Sequence, residues 1–304
     1  MAVKTVQAVI NGVTTTLTYN STSKKYEATI TAPATSSYNN NDGHYFPVTI
    51  KATDEAGNVT TKNDTDATLG SSLQLHVKEK VAPIITITYP TASALIINNK
   101  PAIRWKVTDN DSGVNPDTIG ITIDSGSKVT GSAITKTAIT GGYDCTYTPT
   151  TALADGSHTI KIDAADNDGN AATQKSVTFK IDTVPPTLSV TAPVNGLITN
   201  KAACTVTGTT NDITSSPVTV TVKLNSGSAE AVTVGADGSF SKALTLVSGG
   251  NTITVVATDS AGKSTTVTRT VTLDTVAPTI KAVTLTPNPV DAGKTYVISV
   301  EVTD

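Results

Sequence analysis

Charge and aromatic side chains are scarce in this sequence. Charged residues make up 15% of 304 and aromatics 4%, with one Trp, one Met and three Phe. Two cysteines in a chain of this length do not make a disulfide-stapled scaffold. No window repeats apolar residues at helical spacing over about three turns, so amphipathic helices are not expected. No apolar run could span a bilayer, and membrane insertion is not expected. The net charge is −3 with Lys and Arg dispersed. A nucleic-acid partner, which needs a basic stripe to neutralise phosphates, is not expected either. The opening Met1-Ala2-Val3-Lys4-Thr5-Val6-Gln7 lacks the unbroken apolar stretch of a signal peptide, and synthesis without a recognisable export signal is expected.

Thr and Val dominate instead, both β-branched and both favouring strands. Fourteen Pro and twenty-one Gly are scattered as punctuation. The length suits about three domains of roughly 100 residues. A repeat decides the architecture. The block His44-Tyr45-Phe46-Pro47-Val48-Thr49-Ile50-Lys51-Ala52-Thr53-Asp54-Glu55-Ala56-Gly57-Asn58 recurs as 156–170 and again as 250–263. Each copy is an alternating strand, a turn with Gly where positive φ is wanted, and a Thr-rich second strand. These are the last two strands, F and G, of a sandwich.

Each G strand enters a similar linker: Lys80-Val81-Ala82-Pro83, Thr183-Val184-Pro185-Pro186 and Thr275-Val276-Ala277-Pro278. Pro fixes φ and restricts the residue before it, so the linkers read as short and stiff, and the domains as stacked in a rod. Ile103, Trp105 and Val107 share one face of a strand while Arg104, Lys106 and Thr108 share the other. Val218, Val220, Val222 and Leu224 similarly oppose Thr219, Thr221 and Lys223. Period two with one apolar face predicts a sheet packed on a second sheet, with Trp105 as a core plug. The fold expected is all-β: tandem immunoglobulin-like β-sandwiches. Cys145 and Cys204 fall at inward positions of different repeats and read as buried free thiols.

The stretches Asp237-Gly238-Ser239-Phe240, Gly250 to Val255, Ala257-Thr258-Asp259-Ser260-Ala261-Gly262 and the linker Asp274-Thr275-Val276-Ala277-Pro278 resemble bacterial Ig-like (Big-type) repeats. The whole arrangement, from its start at Met1-Ala2-Val3-Lys4, is similar to tail-associated Ig-like proteins of bacteriophages. That resemblance implies a virion tail or extracellular surface as the location.

The two ends differ from the middle. Complete repeats are expected at 83–184 and 185–276. Residues 277–304 offer only two strands, Thr279 to Leu285 and Tyr296 to Val302, which match A and B. Residues 1–82 open with Val6 to Ile10 and the hairpin signal Asn11-Gly12, with nothing to supply A and B. A lone strand pair is marginal in water, and a sandwich short of strands exposes its core. The expectation is that the tail of one chain completes the first domain of the next, head to tail, in a filament or ring. A first domain that is a complete variant sandwich, or a boundary cut mid-domain, is the plainer reading.

Candidate chemistry is sparse. His44, His76 and His158 have no metal-ligand spacing and read as surface or edge residues. No nucleophile motif, paired-carboxylate site or phosphate loop occurs, so no enzyme is expected. No buried Lys is evident for an isopeptide bond. Calcium is the one ligand with a case: Asp109 and Asp111 in the B–C turn, Asp166 and Asp168 in the F–G turn and Glu79 in the linker meet at one end of a sandwich. Turn chemistry explains Asp166-Asn167-Asp168-Gly169 equally well. Asp182, Asp212 and Asp259 at the next junction, and Asp274 and Asp304 at the last, look poorer. The function expected is a structural or adhesive phage-tail or extracellular fibre protein, partnered by itself, by other tail or surface proteins, or by a cell-surface glycan or receptor. The alternatives are a bacterial surface adhesin or stalk segment, and a carbohydrate-binding module using Tyr38, Tyr45 and Phe46.

Overall fold

The computed structural model describes residues 2–304, about half of them in strands and the rest in turns, bends, irregular chain and two short 3₁₀ turns. By contacts the chain forms two compact units, residues 1–181 and 182–304. No helix among the described residues is long and apolar enough to cross a membrane.

The first unit begins with a single sheet. Its strands are β1 (Val3–Ile10), β2 (Val13–Asn20), β3 (Lys25–Glu27), β4 (Phe46–Asp54), β5 (Val59–Lys62) and β6 (Gln74–Leu75). The order is β3-β2-β1-β4-β5, with β6 also paired to β4. Asn11 and Gly12 both take positive φ, 47° and 75°, and join β1 to β2 with Ile10 opposite Val13. That is the two-residue turn whose twist suits a hairpin. The last strand is split. β5 ends at Lys62, residues 63–73 leave the sheet through a 3₁₀ turn at Gly70–Leu73, and β6 resumes opposite Phe46. β3 stops at Glu27, and irregular chain follows to Tyr45.

Next come β7 (Ile84–Tyr89), β8 (Leu95–Ile96), β9 (Ile103–Thr108), β10 (Val114–Ile123), β11 (Thr135–Ile139), β12 (Gly142–Tyr147), β13 (Gly156–Asp166) and β14 (Lys175–Ile181). They form two four-stranded sheets, β10-β13-β14-β8 and β11-β12-β9-β7. The period-two pattern accounts for the packing. Ile103, Trp105 and Val107 on β9 are fully buried, and Ile160 and Ile162 on β13 meet them from the other sheet in one core. Burying one such side chain contributes about 1.5–3 kcal/mol.

The second unit repeats the plan with β15 (Thr187–Ala192), β16 (Leu197–Thr199), β17 (Ala203–Asn211), β18 (Thr219–Leu224), β19 (Glu230–Val232), β20 (Ser239–Thr245), β21 (Gly249–Thr258) and β22 (Ser264–Leu273). Sheets β15-β17-β20 and β16-β22-β21-β18-β19 enclose Val206, Val220, Val222, Ile253 and Val255. Then β23 (Thr279–Thr286) and β24 (Val297–Thr303) pair only with each other. All-β sandwiches of immunoglobulin type are therefore what the repeat and the alternation foretold.

Candidate functional site

Three positions recur at one end of both sandwiches. Glu79 and Asp182 each stand five residues ahead of the first strand, β7 or β15. Asp109 and Asp212 directly follow β9 and β17. Asp166 ends β13, and Asp259 directly follows β21. The sandwich topology folds the three together: within each triad, Glu79–Asp109–Asp166 and Asp182–Asp212–Asp259, one carboxylate oxygen from every residue lies within 4.8 Å of the others.

In the first triad Asp109 and Asp166 are buried and Glu79 is half-buried. The Glu79 Oε1 accepts the Ser112 amide at 2.6 Å. Asp109 Oδ1 accepts the amides of Asp111 and Gly113, both at 3.0 Å. Asn170 clamps Asp166, its amide to Oδ1 at 2.7 Å and its carboxamide to Oδ2 at 2.6 Å. Burial pushes the Glu79 carboxyl above its ordinary range, the Ser112 amide draws it back, and the nearby Asp109 and Asp111 carboxylates push it further up.

Two of the five expected calcium ligands do not enter this triad. Asp111 instead accepts the Ser36 amide through both oxygens, at 2.9 and 3.0 Å. Asp168 accepts the Glu79 amide at 2.9 Å. Their carboxylates go to backbone donors contributed by the first 82 residues, because buried N–H groups there have no strand partner to satisfy them. Together they tie the segment around Ser36 and the linker at Glu79 to the end of the 84–181 sandwich.

The second triad, the poorer junction by sequence, has the more enclosed members. Asp182 is 1% exposed, Asp212 9% and Asp259 6%. Asp182 Oδ1 accepts the Val184 amide at 3.1 Å, and its Oδ2 accepts the Ser215 hydroxyl. Asp212 Oδ1 accepts the amides of Thr214 and Ser215 at 2.8 and 2.7 Å. Asp259 Oδ1 accepts the Lys263 amide at 2.9 Å. Only alignment of the repeats on these three positions signals this convergence in the sequence, since spacing within one repeat does not.

His158 is buried, contrary to the surface position expected, because β13 carries it inward against Phe179. Its Nδ1 lies 2.8 Å from Asp124 Oδ2 and its Nε2 2.7 Å from the Ala154 carbonyl. Desolvation opposes its protonation, but the Ala154 carbonyl and the Asp124 carboxylate outweigh it and raise the pKa. His44 stacks on Tyr38 with ring centres 4.0 Å apart, and His76 meets the edge of Tyr45. Tyr45 donates its hydroxyl to Asp64, while Phe46 is buried. These aromatics are engaged with their own domain and form no exposed row. Cys145 is buried and its thiol is pushed up to about 11 by burial, whereas Cys204 is half-buried and shifted in the same direction for the same reason. Both are free, and neither is activated.

Residues 92–183 match the model of a bacterial Ig-like domain, and residues 186–275 match that of glucodextranase domain B. No curated protein matches the chain. Solved structures that resemble it include fibronectin(III)-like modules of Clostridium thermocellum CbhA, at 19% identity, covering 63% of this chain and 94% of that one with a TM-score of 0.33. Titin domains I67–I69 share 12% identity over 90% of this chain and 88% of theirs, with a TM-score of 0.45. The D00–D0 domains of intimin share 14% over 63% and 100%, with a TM-score of 0.31. Two closed sandwiches in succession, one matching a bacterial Ig-like domain and the next a glucodextranase domain B, make this a tandem immunoglobulin-like protein.

Proposed function

We propose that the chain is a non-enzymatic structural and adhesive element of an extracellular fibre, of the kind found on phage tails, and that its copies join head to tail. The observation that carries this reading is the bare face of the β23–β24 hairpin. Leu285 pairs with Ile298 and Val283 with Val300, and a bulge at Lys281 brings Ile280 opposite Val302 on the same face. All six are exposed, between 43% and 65%. An apolar face of this kind marks an interaction surface.

The partner surface is the first sheet. Its face formed by Val6, Ala8, Ile10, Leu17, Val48 and Ile50 is apolar, and the opposite face carries Thr5, Gln7, Thr16 and Lys51. The described residues of 1–82 form a single sheet and supply no second one to lie over that face. Ile10, Leu17, Val48 and Ile50 remain half-buried, and a cavity of about 180 Å³ separates Ile10 and Val13 from Ile30 and Pro33. In the 187–273 sandwich the β15–β17 pair covers the β18–β21–β22 sheet. The β23–β24 pair on a neighbouring copy would cover β1 and β4 in the same manner. Such a contact is heterologous, so it propagates into a fibre or closes into a ring. A bacterial surface adhesin built on the same contact is the alternative setting.

Sedimentation velocity and electron microscopy test this. The full chain should form concentration-dependent oligomers, and removal of 279–304 or the double change Leu285→Asp and Val300→Asp should leave monomers. A full chain that stays monomeric at its highest soluble concentration overturns the reading.

A further inference from the structure

We propose that Asp182, Asp212 and Asp259 hold a divalent cation, calcium by the chemistry of the donor set. This inference stands apart from the head-to-tail contact, since none of the three residues lies in β23, β24 or the first sheet. The donors are carboxylate oxygens only, which suits a hard cation that prefers oxygen over nitrogen or sulfur.

The acidic cluster alone would not point to a ligand. The deciding feature is Asp259 Oδ2, which is enclosed and has no hydrogen-bond partner. The residue is 6% exposed, and its carboxylate stands within reach of those of Asp182 and Asp212. A buried carboxylate oxygen without a donor is costly, and two more buried carboxylates beside it add like-charge repulsion. The ion pairs seen among the described residues involve none of the three. A bound cation supplies the missing counter-charge and the missing partner together.

In the other repeats the same position has a side-chain donor. The carboxamide of Asn58 donates to Asp54 Oδ2 at 2.9 Å, and that of Asn170 donates to Asp166 Oδ2 at 2.6 Å. In the third repeat the equivalent residue is Lys263. Its backbone amide keeps the bond to Oδ1, but its side chain gives Oδ2 nothing. With Lys in place of Asn at this one position, Oδ2 is left without a donor on a carboxylate that lies beside those of Asp182 and Asp212.

The rival occupant is the Lys263 ammonium itself, and the two predict opposite signs for one substitution. With the full chain titrated by calcium chloride, amide resonances of Val184, Thr214, Ser215 and Lys263 should shift together in NMR spectra. Asp259→Asn should abolish those shifts, while Glu79→Gln, in the other triad, should leave them in place. Lys263→Asn, which restores the amide clamp and keeps the fold, should weaken calcium binding about tenfold. The proposal is overturned if 10-fold excess calcium moves none of these resonances in the wild-type chain. It is equally overturned if Asp259→Asn titrates like wild type, or if Lys263→Asn binds calcium more tightly.

Discussion

The 84–181 sandwich and the first sheet are built from the same signals, yet they come to different ends. Both have alternating strands, and both end an F strand on Asp with Gly in the turn beyond, at Asp54-Glu55-Ala56-Gly57 and at Asp166-Asn167-Asp168-Gly169. In the sandwich, a second sheet covers the apolar face, and Trp105, Ile119, Ile121, Ile160, Ile162 and Phe179 are fully enclosed. Among the described residues the first sheet has no second sheet against it, and Val6, Ala8, Phe46 and Leu73 are the large apolar side chains and alanine that become buried. Alternation makes a face; only a partner layer makes a core. The β23–β24 hairpin is the extreme case, a face with no cover among the described residues.

The contrast can be broken or sharpened by substitution. Trp105→Ala should cost about 3–5 kcal/mol, because it opens a cavity in a closed two-layer core. Urea denaturation followed by circular dichroism measures it, and a cost below about 1 kcal/mol would mean the sandwich is no tighter than the first sheet. Ile50→Ala, on the half-covered face, should cost about 1 kcal/mol, since much of that surface is already wet. Val300→Thr on the hairpin should change unfolding of the isolated molecule by less than about 0.5 kcal/mol. Amide exchange should rank the three regions in the same order, slowest on β9 and β13 and fastest on β23 and β24.

A pH effect distinguishes the sandwich further. The folded pKa of His158 is raised above its ordinary value of 6.5, the Ala154 carbonyl and Asp124 outweighing desolvation. The protonated form is therefore the stabilising one. Its contribution is complete below the unfolded pKa and is lost as pH rises through the folded pKa. Asp124 is 44% exposed, so solvent screens the pair and the loss should be about 0.2–1 kcal/mol. Denaturation midpoints taken from pH 6 upward should fall in the native chain and stay level in His158→Gln. Equal slopes in both would remove His158 from the account.

Much of the fold was legible before any coordinates. The Asn11-Gly12 turn, the inward set Ile103, Trp105 and Val107, and the strand pairs ending at Ile181 and Leu273 follow from turn chemistry and period two. The split of the last strand of the first sheet was not legible, because residues 63–73 carry no feature that separates an excursion from a continuing strand. The acidic end was only half legible. Asp109, Asp166 and Glu79 come together, whereas Asp111 and Asp168 turn to the amides of Ser36 and Glu79. Which carboxylate meets a neighbour and which meets a backbone amide depends on loop paths set by packing.

Sequence by itself determined the strand pattern, the repeat and the three acidic positions at the head of each sandwich, since these rest on local periodicity and turn-forming residues. Tertiary structure alone decided where a second layer closes, leaving the first sheet half-covered and, among the described residues, the hairpin uncovered. It also decided that Asp259 Oδ2 would be enclosed without a donor beside Asp182 and Asp212. Burial and convergence are properties of residues brought together from distant parts of the chain, and no local pattern contains them.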